Sequence, residues 1–372
     1  ARHAARSIVG RLVTVRPVSP ELAAALSTSH GLVRTVSVHD CSTDALLLGA
    51  VPIEGGTLSQ NLSDAYGWSA SLTVADPTLL PTSPADPLSG FASTYLQLSL
   101  GAVTDQGPQT VPMVRLLPAR VALSRDSGGS YTFTIDAISG AAFAATDRGL
   151  FAAVPGETVQ QAVSRLVDYA MPWPITVTDS TAPRPLDPLW SYEGDAWTAA
   201  RALCEGINLV CELDANRLTI REPFTVGAPD VEWSTTEQVL SVDTETGRGG
   251  TFANRVRVTF DTPSGPVVGD AVQSAGALAY GGPAGRVTLD LSRPGPADEV
   301  DAQLFAVDLL RTTAAAWRTV GLSAVPDPRL QCGDTLRIVT PTGTADHLVT
   351  FTEWDLGTGP MAVGVRTSDA GV

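Results

Sequence analysis

Lysine is missing from this chain of 372 residues, and all 24 basic residues are arginine. Schiff-base catalysis, a Ser–Lys dyad, a P-loop and protein-kinase chemistry each need that amine, so all four are excluded. Cysteine is nearly as scarce: Cys41, Cys204, Cys211 and Cys332 are the only four, and no C-x-x-C occurs. A disulfide framework or structural zinc is therefore not expected, and the thiols read as small apolar side chains folded in a reducing compartment. Histidine is limited to His3, His30, His39 and His347. Charged residues make up 17%, below the ~25% of an average domain. Twenty-four basic against 39 acidic residues leave a net charge of −15, which opposes nucleic-acid binding through phosphates. No apolar run approaches the ~18 residues of a membrane span, and no membrane insertion is expected. Ile8-Val9 is too short for a signal-peptide core.

What is present is mostly strand. At the N-terminus Arg2, Arg6, Arg11 and Arg16 with no acid among residues 1–20 read as a basic arm, expected to dock on an acidic neighbour. Ser19-Pro20-Glu21 opens a short helix with Leu22, Ala25 and Leu26 on one face. From residue 31 to 150 the period is two. Ala70, Leu72 and Val74 alternate with serine and threonine, as do Leu96, Leu98 and Leu100 and then Phe133, Ile135 and Ala137. The stretch from Asp76-Pro77 to Asp86-Pro87 reads as an ordered strap.

Residues 151–225 read as a small α/β domain. Val159, Ala162, Val163, Leu166 and Val167 follow helical spacing behind a Thr158/Gln161 capping box. Trp197, Ala200, Cys204 and Ile207 mark a second helix, followed by a hairpin turning at Asp214-Ala215-Asn216. In 226–372 strands return around one helix from Asp298 to about Thr319, whose apolar face is expected at Val300, Leu304, Val307, Ala314 and Trp317. Asp86-Pro87 and Asp327-Pro328 each precede a strand, a glycine turn and more strands, an echo that points to duplication of one unit.

No catalytic, cofactor or metal site is expected. In His39-Asp40-Cys41, adjacent strand residues point to opposite faces and cannot converge on a substrate. Asp298, Glu299 and Asp301 sit at a helix start, where negative charge complements the dipole. Asp243 and Glu245 before Gly247-Arg248-Gly249-Gly250 lack the EF-hand spacing and read as a turn. Gly55-Gly56 and Gly281-Gly282 make no nucleotide fingerprint. Trp173, Trp190, Trp233 and Trp354 are weighed as a sugar platform against buried anchors, and the second is favoured.

Three segments carry a resemblance: Pro17 to His30 with the block from Gly55 to Pro77; Gly194 to Gly206 with the hairpin ending Asn216 to Arg221; and Val325 to Asp334 entering a last sheet. In that order they are similar to the tail-hub, or minor tail, proteins of actinobacteriophages. The resemblance implies a mainly β chain with an α+β portion: two tube-like antiparallel β-barrels plus a small α/β domain, as in baseplate hubs. It implies a non-enzymatic homotrimer whose six barrels form a pseudo-sixfold ring at the virion tail tip, assembled in the host cytoplasm. The implied partners are the tail tube or distal tail ring protein, the tape measure protein and other tip or fibre proteins, with DNA passing through without specific binding. The lumen is expected to be lined by Asp, Glu, Ser and Thr, with Arg at subunit contacts. As the sequence ends at Val372 directly after its last strand, host binding or lysis by this subunit itself is not expected. The alternatives from other classes are a secreted β-rich glycan hydrolase and a carbohydrate-binding module.

Overall fold

A computed structural model describes residues 16–27, 31–125, 131–246, 252–295, 298–316 and 318–367. Arg2, Arg6 and Arg11 of the arm, His3, His30, Trp317 and the glycine run 247–250 lie outside the described residues. Helix α1 (Pro20–Leu26) starts where expected, with Ser19 accepting from the Leu22 N–H and Leu22 and Leu26 buried.

The main body is a 13-stranded sheet. Every strand pair on its main path is antiparallel. In the first half the order is Ile53–Asn61, Trp68–Val74, Tyr131–Ile138, Gly107–Arg125, Thr94–Thr104. In the second half it is Val239–Thr246, Arg318–Ala324, Met361–Thr367, Gly343–Asp355, Thr335–Thr340. The connectivity is the same at all five positions.

Irregularities repeat as well. Glu54 bulges where Ile53 and Gly55 face Val74 and Thr73, and Leu240 bulges where Val239 and Ser241 face Ala324 and Ser323. In the long strands Ala119 bulges opposite Ala137 and Asp136, and Thr350 opposite Val365 and Gly364. The hairpins Thr104–Gly107 and Thr340–Gly343 both close with the threonine hydroxyl donating to the glycine carbonyl at 2.9 Å. Both glycines hold a positive φ that a side chain would strain. Bulges and turns fix register, so their recurrence aligns the two halves residue by residue: Leu58 with Thr244, and Trp354 with Leu123. The Asp-Pro echo has the same basis, since Asp86 and Asp327 each close a turn that buries Leu88 or Leu330 ahead of the strands at Thr94 and Thr335. A sixth position differs: Leu32–Asp40 runs antiparallel to its neighbour, whereas Val231–Ser234 runs parallel to Thr335–Thr340.

The halves are joined within the chain. Phe351 to Asp355 pair with Asn61 to Thr57, and one apolar core runs beneath both halves. Arg16 ties them further, its guanidinium donating to the carbonyls of Met113, Pro328 and Leu330. It lies over Trp68, and burial draws its pKa down to about 10. This corrects the expectation that Arg16 belongs to a docking arm. Three carbonyl partners from both halves make it an internal strut.

Between the halves sits the α/β element, with helices α2 (Gly140–Ala144), α3 (Val159–Ala170) and α4 (Ala196–Gly206). The capping box at Thr158 is formed. Its core takes in Ala141 and Ala144, upstream of 151, and reaches Tyr95 and Leu117 of the first half. Inside the second half, Arg255–Thr262 pairs with Gly265–Val272 and Thr288–Pro294, and helix α5 (Glu299–Ala315) packs on them around a separate core. The helical face agrees with expectation at Val307, which packs on this core, and at Ala314, and differs at the first two turns. Val300 and Leu304 point outward, 65% and 39% exposed, while Ala302, Ala306, Leu310 and Ala314 are buried. The small side chains win because the backbones approach closely: a Cβ on Gly269 would collide with the Ala302 carbonyl.

Candidate functional site

Among the described residues, the polar clusters singled out in the sequence are held in local structure. His39 stacks on Tyr95 at 5.1 Å, with Nε2 2.9 Å from the Ser37 hydroxyl. The Asp40 carboxylate accepts from the Ser42 and Thr43 amides as a turn cap. Cys41 is buried, which pushes its thiol up to about 12, too high for a nucleophile at neutral pH. All three groups are occupied in local structure.

Asp298 caps α5 by accepting from the Asp301 amide at 2.8 Å. The sequence does not reveal the rest: Arg184, from the α/β element, pairs with the buried Asp301 carboxylate and lies 3.6 Å from Asp298. The cluster therefore pins the inserted unit to the α/β element. Trp173, Trp190, Trp233 and Trp354 are all at most 6% exposed, so they are anchors and form no sugar platform. A cleft of about 690 Å³ opens between the α/β element and α5. Its acids are already engaged, Asp308 by Asn208 and Arg311, and Glu205 by Arg201. Among the described residues no cluster of three His, Cys, Asp or Glu could hold a metal ion.

The feature that spans the molecule is the sheet face opposite the core. Registered pairs give one row Ser241, Ser323, Ala362, Glu353, Ser59, Ser69 across six strands and both halves. A second row reads Asp355, Thr57, Ser71, Asp136, Arg120. Hydroxyls and carboxylates cross-link the face, Ser59 to Ser69 at 2.9 Å and Ser71 to Asp136 at 3.1 Å. The alternation of polar with apolar residues produces it, because side chains on the other face, such as Leu58, Leu72 and Ile135, are fully buried. In these two rows three carboxylates, Glu353, Asp355 and Asp136, stand against one arginine, Arg120.

The sheet also has open ends. In Val239–Thr246 seven of eight residues are exposed, including Leu240 at 62% and Val242 at 47%, and Asp243 and Glu245 lie here in a strand instead of the expected turn. The distal part of the Gly107–Arg125 strand, past its bulge, pairs on one side only, with Tyr131–Ile138. Leu123 there is 50% exposed.

No protein-family model matches the chain, and no curated protein matches it. Solved structures do. A tail protein of Neisseria meningitidis aligns with a TM-score of 0.62 at 13% identity, over 90% of this chain and 96% of that one. A prophage tail protein of Shewanella oneidensis gives 0.59 at 12%, over 90% and 99%. A prophage tail protein of Listeria monocytogenes gives 0.53 at 10%, over 89% and 94%. The chain thus has the fold of phage tail proteins along nearly its whole length, as its three ordered segments imply. The likeness is one of fold and does not extend to an actinobacterial host.

Proposed function

We propose that this chain is a non-enzymatic hub of a phage tail tip, in which three copies close a ring of six half-repeats around a passage for DNA. One observation carries this reading: a near-full-length likeness to tail proteins in a chain that itself contains two equivalent, joined halves. Three copies of a two-fold repeated sheet present six equivalent units, the arrangement that adapts a tail tube to a threefold tip. Within it, the sheets of 31–150 and 226–372 form the ring wall and the α/β element 151–225 lies to the side. The polar sheet face turns toward the bore and the apolar face stays in the core. A trimer carries three times −15, or −45, in formal charge, and a bore of hydroxyls and carboxylates repels duplex phosphates and keeps DNA mobile. The partners are a tail tube or distal tail ring protein, the tape measure protein and tip or fibre proteins, and the site of action is the virion.

Native mass spectrometry of the purified chain, with electron imaging of the particle, tests the reading. A species of three chain masses that images as a ring is expected. A monomer at micromolar concentration with no ring among its images would sink it.

A further inference from the structure

We propose that the ring closes by strand pairing between copies, Val239–Thr246 of one copy lying antiparallel to Val121–Arg125 of the next. This rests on the ring reading above and identifies the contact that makes it. The template is the joint inside the chain. There the strand Ile53–Asn61 fills the open side of Gly343–Asp355 beyond the Thr350 bulge, and both Leu58 and Trp354 are removed from solvent. By strand order and bulge position, Val239–Thr246 is the counterpart of Ile53–Asn61. Likewise, the segment beyond the Ala119 bulge is the counterpart of the segment beyond Thr350. Each chain therefore carries one joint made and the two sides of a second one unmade.

The register follows from the internal pairs 354↔58 and 355↔57. Transferred through the aligned bulges, they set Leu123 opposite Thr244, Ser124 opposite Asp243 and Ala122 opposite Glu245. In the internal joint the Leu62 amide donates to Thr350 and the Leu356 amide to Gly56. Alternation then makes Leu58 and Trp354 a hydrogen-bonded pair. Thr244 and Leu123 accordingly aim their N–H and C=O groups out of their own sheets, toward the next copy.

Side chains agree with this occupant. The acids Asp243 and Glu245 stand on one edge and Arg120 on the same face of the other, diagonal to Glu245 in the transferred register. Pairing would cover Val242 and Leu123, which are half-exposed in the single chain. It would also cover an exposed edge strand that has neither proline nor lysine to guard it. The two sides differ, so the contact is head-to-tail and propagates around a ring, unlike a self-complementary dimer face.

Cysteine pairs test it in the full chain. Ser124 and Asp243 correspond to the non-hydrogen-bonded internal pair Asp355 and Thr57, the geometry in which facing Cα atoms are closest. A chain carrying both Ser124→Cys and Asp243→Cys should oxidise to a covalent species of three chain masses. Mixing the two single variants should give a linked dimer. Moving one partner two residues, Ser124→Cys with Glu245→Cys, should lower the yield about tenfold. The four native thiols are buried and leave the readout clean. Separately, Thr244→Pro removes an outward-facing N–H and should weaken association about tenfold or more without lowering the melting temperature of the chain, while Thr244→Val should assemble normally. A native trimer that neither cross-links nor responds to Thr244→Pro overturns the seam and leaves the ring standing. A wild-type monomer overturns both.

Discussion

Leu58 and Trp354 face each other across the joint between the two halves, both without solvent exposure, and the Trp354 ring stacks on Trp68 at 6.0 Å. The pair comes from strands near opposite ends of the chain, so its packing holds a long-range fold together and not one hairpin.

Truncating Trp354 to alanine should therefore cost about 3–5 kcal/mol, the range for a large aromatic in a core that cannot collapse around the void. As the core is shared, the loss should appear in the main unfolding transition and not as early melting of one half. Denaturant unfolding followed by both tryptophan fluorescence and far-UV dichroism measures this. Two transitions that separate in the variant, with the first half unaffected, would contradict a common core.

Arg16 offers a second test of the same coupling. Its three carbonyl acceptors belong to both halves, and methionine at this position would fill space while removing all three bonds. Arg16→Met should destabilise by about 2–3 kcal/mol, in line with a charged donor lost to buried acceptors. Arg16→Lys should recover only part of this, because an ammonium lacks the planar fork that reaches separated carbonyls. Equal stability of wild type and Arg16→Met would show that the strut is dispensable.

Asp214 supplies a pH dependence. Burial is the main cause that raises its pKa to about 6, against the pull of Arg217 and Arg115. A folded-state value above the unfolded one means that the fold binds the proton more tightly. The stabilisation is then complete below about pH 4 and fades as pH rises through 6. Asp214→Asn, which cannot ionise, should gain on the order of 2 kcal/mol over wild type at pH 7.5 and nothing at pH 4. Melting curves at the two pH values check the sign. A gain confined to pH 4 would reverse the assignment.

Much of the fold is legible in the sequence because burial on a strand has a period of two. Ala70-Leu72-Val74, Leu96-Leu98-Leu100 and Phe133-Ile135-Ala137 all show it, and all nine residues are buried. The Thr158 capping box and the Asp-Pro echo are equally local. What the pattern hides is pairing over distance. Nothing in Ile53–Asn61 names Gly343–Asp355 as its neighbour, and the matching bulges appear only when strands are in register. The face of α5 is hidden for another reason. Periodicity weights Val300 and Leu304 by size, whereas the close approach of Gly269 selects Ala302 and Ala306. The assembly surface carries no motif, since it consists of unpaired backbone edges and ordinary serines and threonines.

The polar face makes the final prediction, on DNA mobility. Thr57, Ser59 and Ser69 lie on it near the joint, with side chains directed away from the core. Each arginine placed there can neutralise one phosphate and release its condensed counterion, adding about 0.9 to the slope of log affinity against log salt. The triple variant Thr57→Arg, Ser59→Arg and Ser69→Arg should still fold, at a cost of about 1 kcal/mol, because Ser59 and Ser69 face each other and arginines there repel and lose the hydroxyl bond. It should retain duplex DNA at 50 mM salt and release it by 200 mM with a slope steeper by about 2.7 per chain, while wild type retains none at either concentration. Filter binding across a salt series gives both numbers. Wild-type protein that holds duplex as tightly as the triple variant, with the same slope, would mean that this face does not repel phosphate and is not the wall of a passage.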